Sequence, residues 1–219
     1  SIPDIISNEP GLSVVKDGIW SSDISIRGLS RQNVVTLIDG SRIETASSLA
    51  AGLSLIDLND VEKVEIIKGG VSSLYGTGAT GGVVNITTKS PIYSEKMRLS
   101  GSISSGYNTV NKGSIGNLNL NLNSNSWYLK FSGTMRYAQN TKTPIGELPN
   151  SQYRDNNIST AIGFKPVNDH ELKFQYQKFY GEDIGMPGGK SFPNTAIAKY
   201  KNISRELYDA NYEIRNIYK

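Results

Sequence analysis

A small α+β globule followed by antiparallel strands of a transmembrane β-barrel is the fold the sequence predicts. Three observations predict it. The chain changes grammar near residue 90, from short mixed segments to long alternating ones. The later segments keep one apolar and one polar face at period two, the pattern of a strand with two different surroundings. Their connections alternate between tight turns and long loops, as in barrels of the outer membrane.

Composition narrows the classes. Hydrophobic residues make up 37% of the 219 positions, no cysteine occurs, and the net charge is +3. A cysteine-free chain has neither a disulfide framework nor a thiolate metal site. The charge is too mild, and the basic residues too scattered, to point to nucleic acid. No run approaches the ~20 apolar residues of a membrane helix, but barrel strands never form such a run. Residue 1 is not methionine and no signal peptide is visible, so the chain is expected either to be mature or to lack its start.

The first part reads in order. A short helix is expected around Pro3 to Ser7, then a turn at Pro10-Gly11. "DISIRG" is a short alternating strand. "NVVTLIDGSRIE" is a hairpin, Val34 to Ile38 and Ser41 to Glu44, joined by Asp39-Gly40. Asp-Gly suits a tight type I′ turn because both central residues take φ > 0. Val61 to Lys68 is a strand, Ser72 to Tyr75 a short helix, and "GGVVNITTK" a last strand.

From Lys96 onward there are about six long strand candidates. Trp127, Leu129, Phe131, Gly133, Met135 and Tyr137 alternate with Tyr128, Lys130, Ser132, Thr134 and Arg136. "NLNLNLN" repeats the pattern, as do the segments around Ile158–Phe164, Leu172–Tyr176 and Tyr208–Ile214. "NSNS" and "PVND" are tight turns; "NTKTPIGELPNSQ" and "GEDIGMPGGKSFPNTAIAKY" are long loops. Tyrosines near strand ends suit interfacial girdles. A soluble β-sandwich also alternates, but these strands are long, sequential and charged mid-strand on the polar face. Six strands do not close such a barrel, so the chain is expected to be a fragment.

Gly76-Thr77-Gly78-Ala79-Thr80-Gly81 spells the G-x-G-x-x-G of a dinucleotide loop. That loop must open a long helix whose N-terminus meets the pyrophosphate. The residues after Gly81 are β-branched and read as strand, so the phosphate would face no helix. Gly76, Gly78, Gly81 and Gly82 are instead expected to permit φ > 0 and close backbone approach in a tight connection. Enzyme signals are equally thin. His170 is the lone histidine and lies beside a tight turn. Glu182 and Asp183 are adjacent on a strand end and point to opposite faces. No metal-ligand spacing and no EF-hand spacing occur. Neither an enzyme, a metal site nor a cofactor is expected.

"SIRG", "VVTLIDGSRIE" and "VEKVEIIKGGVSSLYGTGATGGVVNITTK" resemble, in that order and spacing, the plug domain of TonB-dependent outer-membrane receptors. The resemblance covers about residues 3 to 90 in motif detail, and its plug is most similar to the cobalamin and siderophore types. It implies a plug over 1–92 and the amino-terminal part of a roughly 22-stranded barrel over 93–219. It implies TonB-energised uptake of iron–siderophore, haem or cobalamin, with a soluble or surface β-rich ligand-binding module as the alternative. The implied location is the bacterial outer membrane, with TonB, the ligand and membrane lipid as partners and no nucleic acid. The family's TonB-contacting segment lies upstream of the plug and is missing before Ser1. Two arginines of the family's plug pair with barrel glutamates; their counterparts are Arg27 and Lys68. Lys68-Gly69-Gly70 departs from the family's R-G-P, keeping the charge and losing the bidentate fork. Apical loops that touch substrate correspond to Leu29–Asn33 and Glu44–Gly52, giving Arg31, Gln32, Asn33, Thr45, Ser47 and Ser48 as contact candidates. Met186-Pro187-Gly188-Gly189 lies in a long loop able to add contacts.

Overall fold

The computed structural model describes residues 6, 8–43, 52–70, 72–187 and 198–215. The helix expected around Pro3 to Ser7 and the loop residues Glu44, Thr45, Ser47 and Ser48 lie outside that set, apart from Ile6. The first part builds two small sheets. β1 (Leu12–Lys16), β2 (Ser22–Ile26) and β3 (Leu29–Ser30) form an antiparallel meander. β4 (Val34–Ile38), β5 (Ser41–Ile43), β6 (Val61–Lys68) and β7 (Gly82–Thr88) form the second sheet in the order β5-β4-β7-β6. A single turn of helix, α1 (Ser72–Tyr75), lies between β6 and β7.

β7 runs parallel to β4 and antiparallel to β6. A parallel pair needs a crossover, and the β5–β6–α1 excursion supplies it. As the central strand covered on both faces, β7 is nearly continuous in apolar and β-branched residues, "GVVNITT". Leu12, Ile24, Ile26, Ile38, Leu53, Ile56, Val84 and Ile86 close one core between the two sheets. Each such side chain contributes about 1.5–3 kcal/mol on burial. Asp39 and Gly40 take φ of 50° and 85°, the I′ turn their sequence predicts. The Asp39 carboxylate accepts from Thr88 N at 2.8 Å and Thr88 Oγ1 at 2.7 Å, fastening the turn to the end of β7.

The second part is a six-stranded up-and-down sheet: β8 (Arg98–Asn108), β9 (Gly113–Asn123), β10 (Trp127–Ala138), β13 (Tyr153–Phe164), β14 (His170–Met186) and β15 (Ala198–Ile214). Two corrections concern the long connections. The segment after β10 contains its own hairpin, β11 (Thr141–Thr143) and β12 (Gly146–Leu148). Residues 181–186 and 198–200 extend β14 and β15 rather than forming loop, because Ile184, Gly185 and Met186 pair with Tyr200, Lys199 and Ala198. Among the described residues the sheet does not close on itself.

The polarity of this sheet is inverted. On β10 the polar row Lys130, Ser132 and Thr134 is buried, whereas Leu129 and Met135 of the apolar row are exposed; Thr134 is 2% exposed and Met135 73%. β13 buries Asp155, Asn157 and Ser159 and exposes Ile158, Ile162 and Phe164; β14 buries Gln175 and Gln177 and exposes Phe174. The first part packs against the buried polar rows. Tyr176 and Tyr208 meet on the outward face as a tilted pair with ring centres 4.9 Å apart.

Tyr128 is an inward exception. It is fully buried and lies over Gly163, directly opposite it in the ladder. A Cβ at Gly163 would clash with Tyr128 Cε1. Gly163→Ala is therefore expected to destabilise the sheet by about 1–3 kcal/mol in urea unfolding. Gly116→Ala, with nothing within 4 Å, should be close to neutral in the same measurement.

Candidate functional site

The polar rows of β10, β13, β14 and β15 and the first part of the chain meet along a seam, and the buried ion pairs among the described residues lie there. At the end with the long connections, the β1–β2 turn brings Trp20 to the wall. Its indole N–H donates to Asp155 Oδ2 at 2.7 Å, and Arg136 Nε donates to Asp155 Oδ1 at 2.7 Å. Leu55, Phe179 and Ile184 enclose Trp20, with Tyr153, Tyr200 and Ile203 around them.

Nearer the tight turns, the segment Asp57–Asp60 faces β10. Asp57 caps its own short turn by accepting from Asn59 N at 3.0 Å. Its second oxygen accepts from Thr134 Oγ1, which in turn accepts from Asn117 Nδ2 at 2.7 Å. Asp60 forms an ion pair with Lys130, and Lys130 also donates to Lys89 O. Both charged side chains of that pair are almost completely buried. Burial raises the Asp60 carboxyl above its ordinary range, and the Lys130 ammonium opposes the shift. Further on, Gln175 donates to Thr88 at 3.2 Å, Ser41 to Asp209 at 3.0 Å and Lys173 to Ser90 at 3.2 Å. Tyr93 closes the series: its hydroxyl donates to Glu171 at 3.0 Å, its ring meets Tyr128 at 5.2 Å, and Lys165 stands 3.7 Å above it. Burial first, and then the Glu171 carboxylate, push the Tyr93 phenol up from its usual value.

The residues singled out from sequence are placed as follows. Arg27 takes φ of 50° and donates its backbone N–H to Gly11 O at 2.7 Å, while Lys68 Nζ donates to Pro10 O at 2.7 Å. The Arg27 backbone and the Lys68 ammonium thus meet the Pro10–Gly11 turn, and among the described residues neither side chain forms an ion pair with a wall carboxylate. Arg31, Gln32 and Asn33 form a 3₁₀ turn after β3 rather than an open loop. Arg31 is engaged by Asp17 at 3.0 Å, and Asn33 Nδ2 donates to Ser30 O at 3.4 Å. Thr45, Ser47 and Ser48 lie outside the described residues. A cleft of about 650 Å³ opens among Val110, Tyr137, Asn140, Arg154, Glu182 and Lys201, and Arg31, Gln32 and Asn33 do not line it. Glu182 pairs with Arg154 and Asp183 with Lys199, so the adjacent carboxylates do not converge.

The glycine run serves packing. Gly76 and Gly78 take φ of 82° and 90°. Gly78 backs onto Gln32, whose carbonyl oxygen would stand 2.8 Å from an added Cβ. Gly81 N donates to Asn33 O at 2.8 Å. Gly82 opens β7 directly, so no helix follows the motif.

Sequence reasoning missed Trp20–Asp155–Arg136 and Asp60–Lys130. The available signal was a lysine and an arginine on the polar row of a strand whose other row is apolar. Mid-strand charges of that kind ask for counter-charges from whatever fills the concave side.

Comparison with known proteins agrees with this architecture. Residues 1–83 match the family model described as TonB-dependent Receptor Plug Domain. The chain is 30% identical over 217 residues to the vitamin B12 transporter BtuB of Photobacterium profundum, covering 92% of this chain and 35% of that protein. It is 38% identical over 89 residues to the hemin receptor of Yersinia enterocolitica, covering 40% of this chain and 13% of the receptor. The chain thus spans about a third or less of these relatives' length. Among solved structures it superposes on the copper transporter OprC with a TM-score of 0.79 at 20% identity, covering 99% of this chain and 33% of that one. It superposes on the siderophore receptor PirA of Acinetobacter baumannii with a TM-score of 0.74 at 18% identity, over 97% of this chain and 35% of that one. The chain thus carries the plug domain of TonB-dependent receptors in its first 83 residues and, after it, six strands folded like those of their barrels.

Proposed function

We propose that this chain supplies the plug and part of the barrel wall of an outer-membrane transporter that takes up a scarce solute of the cobalamin, haem or iron–siderophore class, with TonB as its energy-coupling partner. The inverted polarity of the six-stranded sheet carries the reading. Apolar rows facing outward and polar rows buried against a plug suit a wall between lipid and a filled lumen, and a soluble ligand-binding module has no use for them. The division between the two parts falls at about residue 92. The tight turns lie on the periplasmic side and the long connections outside.

In this reading Arg27 and Lys68 are the plug cations that pair with carboxylates elsewhere on the barrel wall. Arg31, Gln32 and Asn33, with Thr45, Ser47 and Ser48, face the incoming ligand. Ligand bound there favours the plug state that TonB engages, and can do so only by as much as it binds that state more tightly. The names of the relatives span vitamin B12, hemin, copper and siderophores, and this spread supports the class of transporter more than any one solute.

The test uses the complete reading frame in a strain lacking its own uptake receptors, grown with cyanocobalamin, hemin or a ferric siderophore as the limiting nutrient. Growth on one of them is expected, and is expected to vanish when TonB is removed. Receptor correctly inserted in the outer membrane yet supporting growth on none would sink the proposal.

A further inference from the structure

Among the described residues three buried charged groups of the wall reach the plug, Asp155 and Arg205 at the long-connection end and Lys130 nearer the tight turns, and the two ends differ in what separation would leave behind. At the long-connection end, Asp155 is already paired within the wall by Arg136. Trp20 adds one neutral donor to that pair. If Trp20 and Leu55 withdraw, Asp155 keeps Arg136 and Arg205 keeps its bond to Gln177 Oε1, so no ion pair is broken. At the other end, the ion pair crosses the seam: Asp60 belongs to the plug and Lys130 to β10. Separating them leaves a carboxylate and an ammonium each without its partner, both almost fully buried, and an unpaired buried charge is far costlier than a lost neutral hydrogen bond.

Lys130 also reaches the plug at a special place. It donates to Lys89 O, the residue where β7 leaves the plug sheet, and Lys89 N donates to Asp60 O at 2.8 Å. Lys89 Nζ donates to Asn59 O at 3.0 Å. Lys130 therefore grips the start of β6 and the end of β7 together. The chain that runs on from there is fastened to the wall at Ser90 by Lys173 and at Tyr93 by Glu171 and Tyr128.

We propose that Lys130 is the retaining residue of the plug: through Asp60 and Lys89 it fixes the end of the plug sheet to the wall, so that the Trp20 end opens first and the Asp60 end stays. Its polarity is the reverse of that proposed for Arg27 and Lys68, with the cation on the wall and the carboxylate on the plug. The inference rests on the plug filling the lumen, and on no particular solute.

Native-state thiol labelling of the purified full-length receptor tests it, with a maleimide as the probe and one cysteine at a time. Ser21→Cys sits beside Trp20, and Ser159→Cys sits on the wall next to Asp60; both serines are buried. This chain has no cysteine of its own. Labelling at position 21 is expected to be at least about tenfold faster than at position 159. Lys130→Met should speed labelling at 159 about tenfold or more and leave 21 within about twofold, while Lys130→Arg, which keeps the charge, should restore protection at 159. A general loss of packing would speed both positions together. Equal rates at 21 and 159 in the parent protein would overturn the proposal even if Lys130→Met did not fold, and so would an unchanged rate at 159 in that variant. Because no uptake is measured, failure here is distinct from failure of the transport reading.

Discussion

Replacing Asp155 by alanine is expected to lower the unfolding free energy of the receptor by about 3–5 kcal/mol, the range for removing one partner of a buried ion pair. Asp155 is wholly buried and each of its oxygens is used, one by Arg136 and one by Trp20. Alanine leaves the Arg136 guanidinium three-quarters buried opposite a methyl group, and Arg136 Nη2 already lacks a hydrogen-bond partner. It also leaves the Trp20 N–H unpaired inside the Leu55–Phe179–Ile184 cluster. Trp20→Phe is the informative control. It removes one hydrogen bond to a carboxylate that keeps its arginine, so it should cost about 1.5–3 kcal/mol. Urea unfolding followed by circular dichroism measures both. A loss below about 1 kcal/mol for Asp155→Ala would show that Arg136 finds another partner and that Asp155 does not hold this end of the seam.

Gly82→Ala should be the most damaging single methyl in the plug. Gly82 has φ of 148°, where side chains are rarely accommodated, and an added Cβ would be driven into the carbonyl oxygen of Ile67 and to 3.0 Å from Ile26 Cδ1. The conflict is with backbone on the paired strand β6, so no rotamer change relieves it. Strain at such a φ costs about 1–3 kcal/mol, and overpacking adds a comparable amount. Gly70→Ala is the matched comparison, since its nearest neighbour is Thr80 O at 4.0 Å. Protease resistance of the plug in the purified receptor should collapse for Gly82→Ala and persist for Gly70→Ala. Equal resistance of the two variants would mean that β6 and β7 can separate at no cost.

Much of the fold is legible in the sequence because its signals are local. The Asp39-Gly40 turn, the strand Val61–Lys68 and the short helix Ser72–Tyr75 each follow from a few neighbouring residues, and the structure places all three at those positions. The six long strands follow from period-two alternation, which needs no knowledge of partners. Strand ends were less legible. Nothing in "GEDIGMP" marks it as strand, and only pairing with residues 198–200 extends β14 to Met186. The 3₁₀ turn at Arg31–Asn33 was hidden for a similar reason, since it is fixed by the Asp17 ion pair and the glycine run behind it. The seam was the least legible part. Asp60 and Lys130 are 70 positions apart and Trp20 and Asp155 are 135 apart. Alternation says that a face is polar, but not which residue meets it.

The Leu–Asn repeat of β9 carries a further consequence, for how the sheet finds its alignment. Shifting β9 by two residues against either neighbour would exchange leucine for leucine on the outward row and asparagine for asparagine on the inward row. Inward-versus-outward sorting forbids a shift of one residue but is blind to a shift of two. Asn117 donates to Thr134 at 2.7 Å, but a shift of two offers Asn119 to the same partner, so the tight turn where Ser124 N donates to Trp127 O at 2.8 Å has to settle the alignment. During assembly β9 is a ruler with evenly spaced marks and no numerals, and the turn at its end supplies the count.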